Sequence, residues 1–505
     1  MGTREEGRVT ALERAIAERT PLPGLATTSP LHGLRRRSVG SWDVVAQSVA
    51  AVAPAGVVLV SPASLGQTAG SFAFLDLAVT VVIIVLLAAT ISVFARRMAS
   101  TGSLYTFVSR GLGPTLGIIA GTALALGYAA IAISTLVGAS RRTVGLIGRA
   151  TGDAPPTWIL PVVIAVFAIL IGSVIVCGLR PSTRIMLVIE IAAVATILAL
   201  SIVVFISTGW NVGALVPDVS EPFSVSTVLS GVGIALIAFV GFESGTALGP
   251  ESKRPLATIP RALMWTVIAV GVVYLVGAAA QISGDAAIEG SGAEGELPLA
   301  RLVESAGFAG AAPLIDLIIA LSFLACSLAT TTALVRLCFA LSREGLLPDV
   351  FGRTSMRFGT PAPGAVILTT GVAAVPLVWI VVSGSADGIR SFTTPSAIVG
   401  YVGAYVLVCI ATPVFLVKIG EFTWRAALPA ILAGTALGAA LVHDVATKMT
   451  TDATGAVIGL AIAIVTATIC LVRVRRRPEL RAHLGLYDSP VASDSIGGVP
   501  AAPKK

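Results

Sequence analysis

Apolar runs of roughly 20 residues, the length a helix needs to cross a hydrocarbon core, recur from Trp42 to Val472. No other feature restricts the fold as strongly. A bilayer offers no partner to backbone N–H and C=O groups, so each run must close its hydrogen bonds within a helix. Only 12% of the 505 residues are charged, about half of what a soluble protein carries. The mean hydropathy is +0.93. The chain therefore reads as an all-α integral membrane protein with twelve transmembrane helices.

The formal charge is +7, but it does not describe a nucleic-acid surface. Lys and Arg cluster in the loops between runs, and no basic patch there carries interleaved aromatics. One set of loops holds Arg96, Arg97, Arg180, Arg184, Lys253, Arg254, Arg261, Arg343, Arg353, Arg357 and Lys418. The other holds Asp218, Glu221 and an acidic segment from Asp285 to Glu304, with Arg141, Arg142 and Arg149 as the exception. The positive-inside bias then puts both termini in the cytoplasm of a cell (cytoplasmic) membrane.

The domain plan follows from these runs. Residues 1–38 form a cytoplasmic N-terminal segment and 39–473 a twelve-helix membrane domain. Residues 474–505 are a basic, then Ser/Pro/Ala-rich tail whose composition predicts disorder. Cys177, Cys326, Cys338, Cys409 and Cys470 all fall in apolar runs without a Cys-x-x-Cys pair, and read as small buried hydrophobes. The three histidines are scattered, so no metal and no cofactor is expected.

Two runs contain helix breakers. In Ala51-Val-Ala-Pro-Ala-Gly56, Pro54 removes a backbone donor and Gly56 relaxes the chain. In Ala238-Phe-Val-Gly-Phe-Glu-Ser-Gly245, two glycines and a carboxylate interrupt a membrane-length segment. Unwound backbone at membrane depth is tolerated only where it faces protein or a water-filled cavity. The first break opens one set of five helices (39–210) and the second opens another (222–420), with two further helices in 424–473. An odd number per set inverts the second relative to the first. This is the layout of alternating-access transporters, which bind solute where the broken helices meet.

Three motifs give the chain a resemblance to permeases of the amino acid–polyamine–organocation (APC) superfamily. They are Ala238–Glu243 followed by Pro250-Glu-Ser-Lys-Arg-Pro255 and Ile259-Pro-Arg-Ala262; Gly102–Pro114; and Phe339–Pro348 with Phe358-Gly-Thr-Pro361. The resemblance implies a LeuT-type fold with a 5+5 inverted repeat plus two C-terminal helices. It also implies an amino acid or amine substrate held by the broken backbone. The substrate carboxylate would meet N–H groups around Ala53, Pro54, Ala55 and Gly56, and its ammonium the carbonyls around Ile237, Ala238, Phe239, Val240, Gly241 and Phe242. Many members have Gly-x-Gly where this chain has Ala53-Pro-Ala-Gly56, and an aromatic gate at the position of Ile237. Here the aromatics are Phe239 and Phe242.

Coupling and gating residues are expected on polar groups within the runs. Glu190 sits in the middle of Met186–Ala193; a carboxylate there costs about 3 kcal/mol on insertion scales and normally faces the interior. It is the candidate for taking and releasing a proton or for pairing with a cation; the structural alternative is a protonated Glu hydrogen-bonded between helices. Glu243 reads as a brace for the unwound segment, with a coupling role as the alternative. Ser327, Thr330 and Thr331 share a helical face; hydroxyls on this span help bind the cation in sodium-coupled relatives of the fold, and otherwise bond back to their own helix. The expected function is secondary active transport of amino acids or amines by alternating access, with proton symport or exchange as driver. Sodium symport is the alternative within the fold, and a channel or membrane sensor the alternative outside it. No enzyme chemistry is expected.

Overall fold

Helix α1 (Ser41–Val52) stops where it does because Pro54 follows. The residue before a proline is driven out of the right-handed helical region, and Ala53 adopts φ 52°, ψ 56° instead. Pro54 then opens α2 (Pro54–Ala69), where its missing N–H costs nothing and its fixed φ suits a first turn. A 3-10 turn at Gly70–Phe72 leads into α3 (Ala73–Ala95). The computed structural model describes residues 29, 33–178, 180–218, 224–287, 297–308, 310–451 and 453–488.

A short α4 (Leu104–Leu112) is followed by α5 (Pro114–Thr151), α6 (Ile159–Cys177) and α7 (Arg180–Thr208). The second interrupted helix begins as α8 (Val225–Ile237), turns through 238–241, and continues as a 3-10 helix, Phe242–Glu251. A 3-10 run of that length is unusual and marks a strained or hinge-like segment. Next come α9 (Pro255–Asp285), α10 (Pro298–Ser305), α11 (Ala311–Arg343), α12 (Ala362–Ser383), α13 (Ile389–Lys418), α14 (Trp424–Thr451) and α15 (Ala453–Arg476).

Among the described residues, 11 stretches are long and apolar enough to cross a membrane, against the twelve expected. The difference lies in the first, Ser41–Ala95, which is 55 residues long and interrupted at Ala53 and Gly70–Phe72. At 1.5 Å per residue a continuous helix of that length would reach about 80 Å, well beyond a hydrocarbon core of ~30 Å.

The helices form two shells. α1, α3, α5, α8, α9, α11 and α13 make the interior, where α5 packs against both α11 and α13, and α3 against α9. α6, α7, α12, α14 and α15 are mostly exposed and carry apolar side chains outward, such as Val166, Ile169, Ile206, Val381 and Ile464. That pattern suits a lipid-facing shell.

Three readings need correction. Arg141, Arg142 and Arg149 are assigned to a loop by the charge pattern, but α5 continues through them to Thr151 and ends only where Gly152 takes φ 78°. Arg141, Arg142 and Arg149 are therefore on a helix, not in a loop. Arg141 pairs with Asp387, Arg142 with Asp316 at 2.7 Å and Arg149 with Asp316 at 3.2 Å, so acidic partners offset the exceptional positive charge. The tail was expected to be disordered from 474, yet 478–483 form a 3-10 helix and 485–488 dock on the protein. Backbone N–H groups of Gly485 and Leu486 donate to Glu344 at 3.0 and 2.7 Å, and Asp488 N donates to the Ala99 carbonyl at 2.7 Å. Polar anchors hold what composition alone could not. The rest of the tail, most of residues 1–38, and Glu289, Glu294 and Glu296 lie outside the described residues.

Candidate functional site

The two breaks touch. Gly241 has φ +96°, and a Cβ placed there would lie 2.9 Å from the carbonyl oxygen of Ala51 and 3.2 Å from its Cβ. Only glycine fits both the angle and the approach. Ala53, Pro54, Ala55, Gly56, Ala238, Phe239, Val240, Gly241 and Phe242 are all buried around this contact, and Ile237 is half-buried. The fold thus sets Gly241 of the second break against Ala51, two residues before the left-handed Ala53 of the first.

Glu190 joins them from α7. It is 1% exposed, while Val188 and Ile191 beside it are 66% and 58% exposed. The helix therefore turns its apolar neighbours to the outer face and its one carboxylate inward. Glu190 Oε1 accepts the Ala55 N–H at 2.8 Å and the Ser322 hydroxyl at 2.9 Å. Ser322 Oγ in turn accepts the Gly56 N–H at 3.0 Å. These N–H groups are the orphan donors of the α2 N-terminus, whose dipole favours a negative charge. The donors expected to face a substrate carboxylate are thus taken by the protein itself.

The span-8 hydroxyls divide. Thr330 bonds back to the carbonyl of Cys326 at 2.7 Å, Ser327 crosses to the carbonyl of Ala132 on α5 at 2.9 Å, and Thr331 Oγ1 has no hydrogen-bond partner among the described residues. None of the three meets Glu190. The residue on α11 that does is Ser322, which the sequence reading missed, together with Cys326, whose thiol donates to the Ala51 carbonyl at 3.0 Å. Ser322, Cys326 and Thr330 are spaced at i, i+4 and i+8, so a polar stripe on one helix face was available as a signal.

The second break is held by aromatic hydroxyls. Tyr274 OH donates to the Ala238 carbonyl at 2.8 Å, and its ring meets Phe239 edge-on with centroids 4.9 Å apart. The Gly241 N–H donates to Tyr405 OH at 3.3 Å. Glu243 accepts Tyr128 OH on one oxygen at 2.9 Å and Tyr405 OH on the other at 2.5 Å. The tyrosines come from α5 and α13, so this carboxylate ties the unwound segment to two inner helices. A cavity of about 20 Å³ lies beside the breaks, lined by Val57, Val58, Ile234, Ala238 and Tyr274 among others. It has room for about one water.

At the end bearing the docked tail, Arg336 forms a bidentate pair with Glu251 at 2.9 and 3.1 Å. The carbonyl of Glu251 accepts the N–H groups of Ser38 and Val39 at 2.7 and 2.8 Å. That end of the broken helix is therefore sealed by a buried ion pair and by the N-terminal segment.

A family model described as amino acid permease matches residues 43–443. A branched-chain amino acid permease of Bacillus subtilis (strain 168) is 23% identical over 354 residues, covering 67% of this chain and 73% of the relative. A methylthioribose transporter of the same organism is 24% identical over 366 residues, covering 69% and 76%. The vacuolar cationic amino acid transporter 4 of Arabidopsis thaliana is 23% identical over 360 residues, covering 68% and 58%.

Proposed function

Because the chain belongs to the amino acid permease family, we propose that it moves amino acids or related amines across the cell membrane by alternating access. It is a membrane transporter and not an enzyme. The observation that carries the reading is the contact between the two helix breaks, with Glu190 at the N-terminus of α2.

Twelve crossings follow if the 55-residue stretch Ser41–Ala95 folds across the membrane twice, turning at Gly70–Phe72. The packing of α3 on α9, α5 on α11 and α6 on α12 pairs the second span with the seventh, the third with the eighth and the fourth with the ninth. A LeuT-type 5+5 inverted repeat relates the same pairs. The basic loops share one end of the protein with the docked tail, which supports placing both termini in the cytoplasm.

Glu190 is the proposed coupling residue, because a buried carboxylate touching both the broken helix and α11 links protonation to the geometry of the site. Proton symport or exchange is the driver proposed. Sodium symport stays the alternative, since the Ser327 and Thr330 hydroxyls donate their hydrogens to backbone carbonyls and keep their lone pairs for a cation. The substrates named for the relatives include neutral and cationic amino acids and a thiosugar without a carboxylate, so kinship supports transport more strongly than any one substrate.

Counterflow in proteoliposomes tests this. Protein loaded inside with unlabelled amino acid or amine should drive saturable, transient accumulation of the labelled compound. Flux that does not saturate would indicate a channel and overturn the reading. Glu190→Gln should abolish accumulation driven by a pH gradient while counterflow persists at saturating substrate. Unchanged proton-driven uptake in that variant would remove Glu190 from coupling.

A further inference from the structure

The first four positions of α2 are fully accounted for. Pro54 has no N–H, Ala55 donates to Glu190 Oε1 at 2.8 Å, Gly56 to Ser322 Oγ at 3.0 Å, and Val57 to the Ala53 carbonyl at 2.9 Å. No backbone donor is left there for the carboxylate of a ligand. The negative charge such a ligand would bring to this helix end is already supplied by Glu190. A second carboxylate at the same N-terminus would meet it at like-charge distance, where both do not readily stay ionised.

We infer that Glu190 stands in the place of an amino acid's carboxylate, and that the molecule carried at this break is an organic amine without a carboxylate. The inference rests on the transport reading above and narrows its substrate class.

The remaining geometry points the same way. Glu190 Oε2 is buried and has no hydrogen-bond partner among the described residues. A carboxylate oxygen can only accept, so its complement is a donor, and an ammonium brings both N–H groups and positive charge. The groups around Glu190, namely Ser322, Cys326 and Tyr274, are neutral, so among the described residues no cation is seen to compete for that oxygen. The C-terminal ends of α1 and α8 both point at the breaks, and their dipoles favour a cation. Charge on the protein and charge on an amine are therefore complementary, whereas an amino acid would have to displace Glu190 first.

The test uses the purified full-length protein with matched pairs that differ by one carboxylate: isoamylamine against leucine, and cadaverine against lysine. Binding is read by thermal shift and transport by counterflow. In at least one pair the amine should bind and exchange about tenfold better than the amino acid, the scale of one charge-assisted hydrogen bond. Glu190→Gln keeps an acceptor for the Ala55 N–H but removes the charge, and should weaken the amine about tenfold while leaving the amino acid excluded. Glu190→Ala clears the helix end and should shift the amine-to-amino-acid ratio toward the amino acid by about tenfold or more. Preference of the wild-type protein for the amino acid in both pairs overturns the inference and leaves the transport reading standing. So does a Glu190→Gln protein, monodisperse by size exclusion, whose amine-to-amino-acid ratio is unchanged. Absence of binding and exchange for every member of both pairs overturns the transport reading, and this inference with it.

Discussion

At the first break the backbone donors of α2 end on a carboxylate and a hydroxyl, and one carboxylate oxygen is left over. At the second break both oxygens of Glu243 are filled by tyrosines. Each site places a buried glutamate beside an unwound segment, but the two surroundings give different chemistry. Glu190 holds a helix end with one oxygen and keeps the other available, which suits a group that exchanges partners. Glu243 is saturated by rigid donors from α5 and α13, which suits a fixed anchor for a segment whose 3-10 geometry is intrinsically poor. The presence of a carboxylate does not separate the two roles; the count of unfilled acceptor positions does.

The largest effect should therefore come from Glu243. Replacing it with Ala leaves the Tyr128 and Tyr405 hydroxyls buried without an acceptor, a loss of about 3 kcal/mol. Glu243→Gln, which can still accept one of the hydroxyls, should recover part of it. Glu190→Ala should cost less, about 1–2 kcal/mol, because it orphans one backbone N–H and frees the Ser322 hydroxyl to reorient. Thermal unfolding of the three variants in detergent measures the difference. Equal losses at the two glutamates would remove the distinction between anchor and exchanger.

A smaller effect separates the breaks by backbone. Both use a left-handed residue, Ala53 at φ 52° and Gly241 at φ +96°. Gly241→Ala adds both strain and a contact at 2.9 Å with the Ala51 carbonyl, and should destabilise by about 2 kcal/mol. Ala53→Gly relieves a left-handed alanine but loosens the unfolded chain, so a gain of at most about 1 kcal/mol is expected. Opposite signs in thermal unfolding would support the geometry, whereas a loss at Ala53→Gly would mean that its methyl packing outweighs its strain.

How much of this was legible depends on whether the cause is local. Both breaks were readable because Pro54 and Gly241 act on their own backbone. Glu190 was readable because a carboxylate in an apolar run has few other reasons to be there. The clamp on Glu243 was not, since its tyrosines lie 115 and 162 residues away in sequence and nothing local announces them. Ser322 and Cys326 were hidden for a different reason. Hydroxyls in membrane helices usually bond back to their own turn, as Thr330 does, so a polar stripe alone does not say which member faces a partner. The extension of α5 to Thr151 is not legible because its apolar character fades before its last three turns. Peptide hydrogen bonding ends it instead, at Gly152.

The smallest predicted effect concerns a third glutamate, built like the second but placed at the end of the protein. Glu344 caps α11 and accepts Tyr105 OH, the Gly485 N–H and the Leu486 N–H, with Arg110 nearby. Burial pushes its carboxyl up from 4.5 to about 7, against the pull of those donors and of Arg110. The Gly485 and Leu486 N–H groups of the docked segment pull the carboxyl down and the burial pushes it up; with burial the larger effect and an ordinary 4.5 for the undocked carboxyl, docking of 478–488 is fully supported below about 4.5 and loses support as pH rises through 7. Lowering the pH from about 8 to about 7 should strengthen docking by up to about 0.4 kcal/mol, and further acidification by more. Hydrogen exchange of 485–488, corrected for the intrinsic rate, should therefore slow on acidification in the wild-type protein and not in Glu344→Gln. Protection that rises with pH would mean that the three donors dominate over burial. Glu344 would then be a saturated, ionised anchor, and the tyrosine clamp on Glu243 would be the pattern to apply to it.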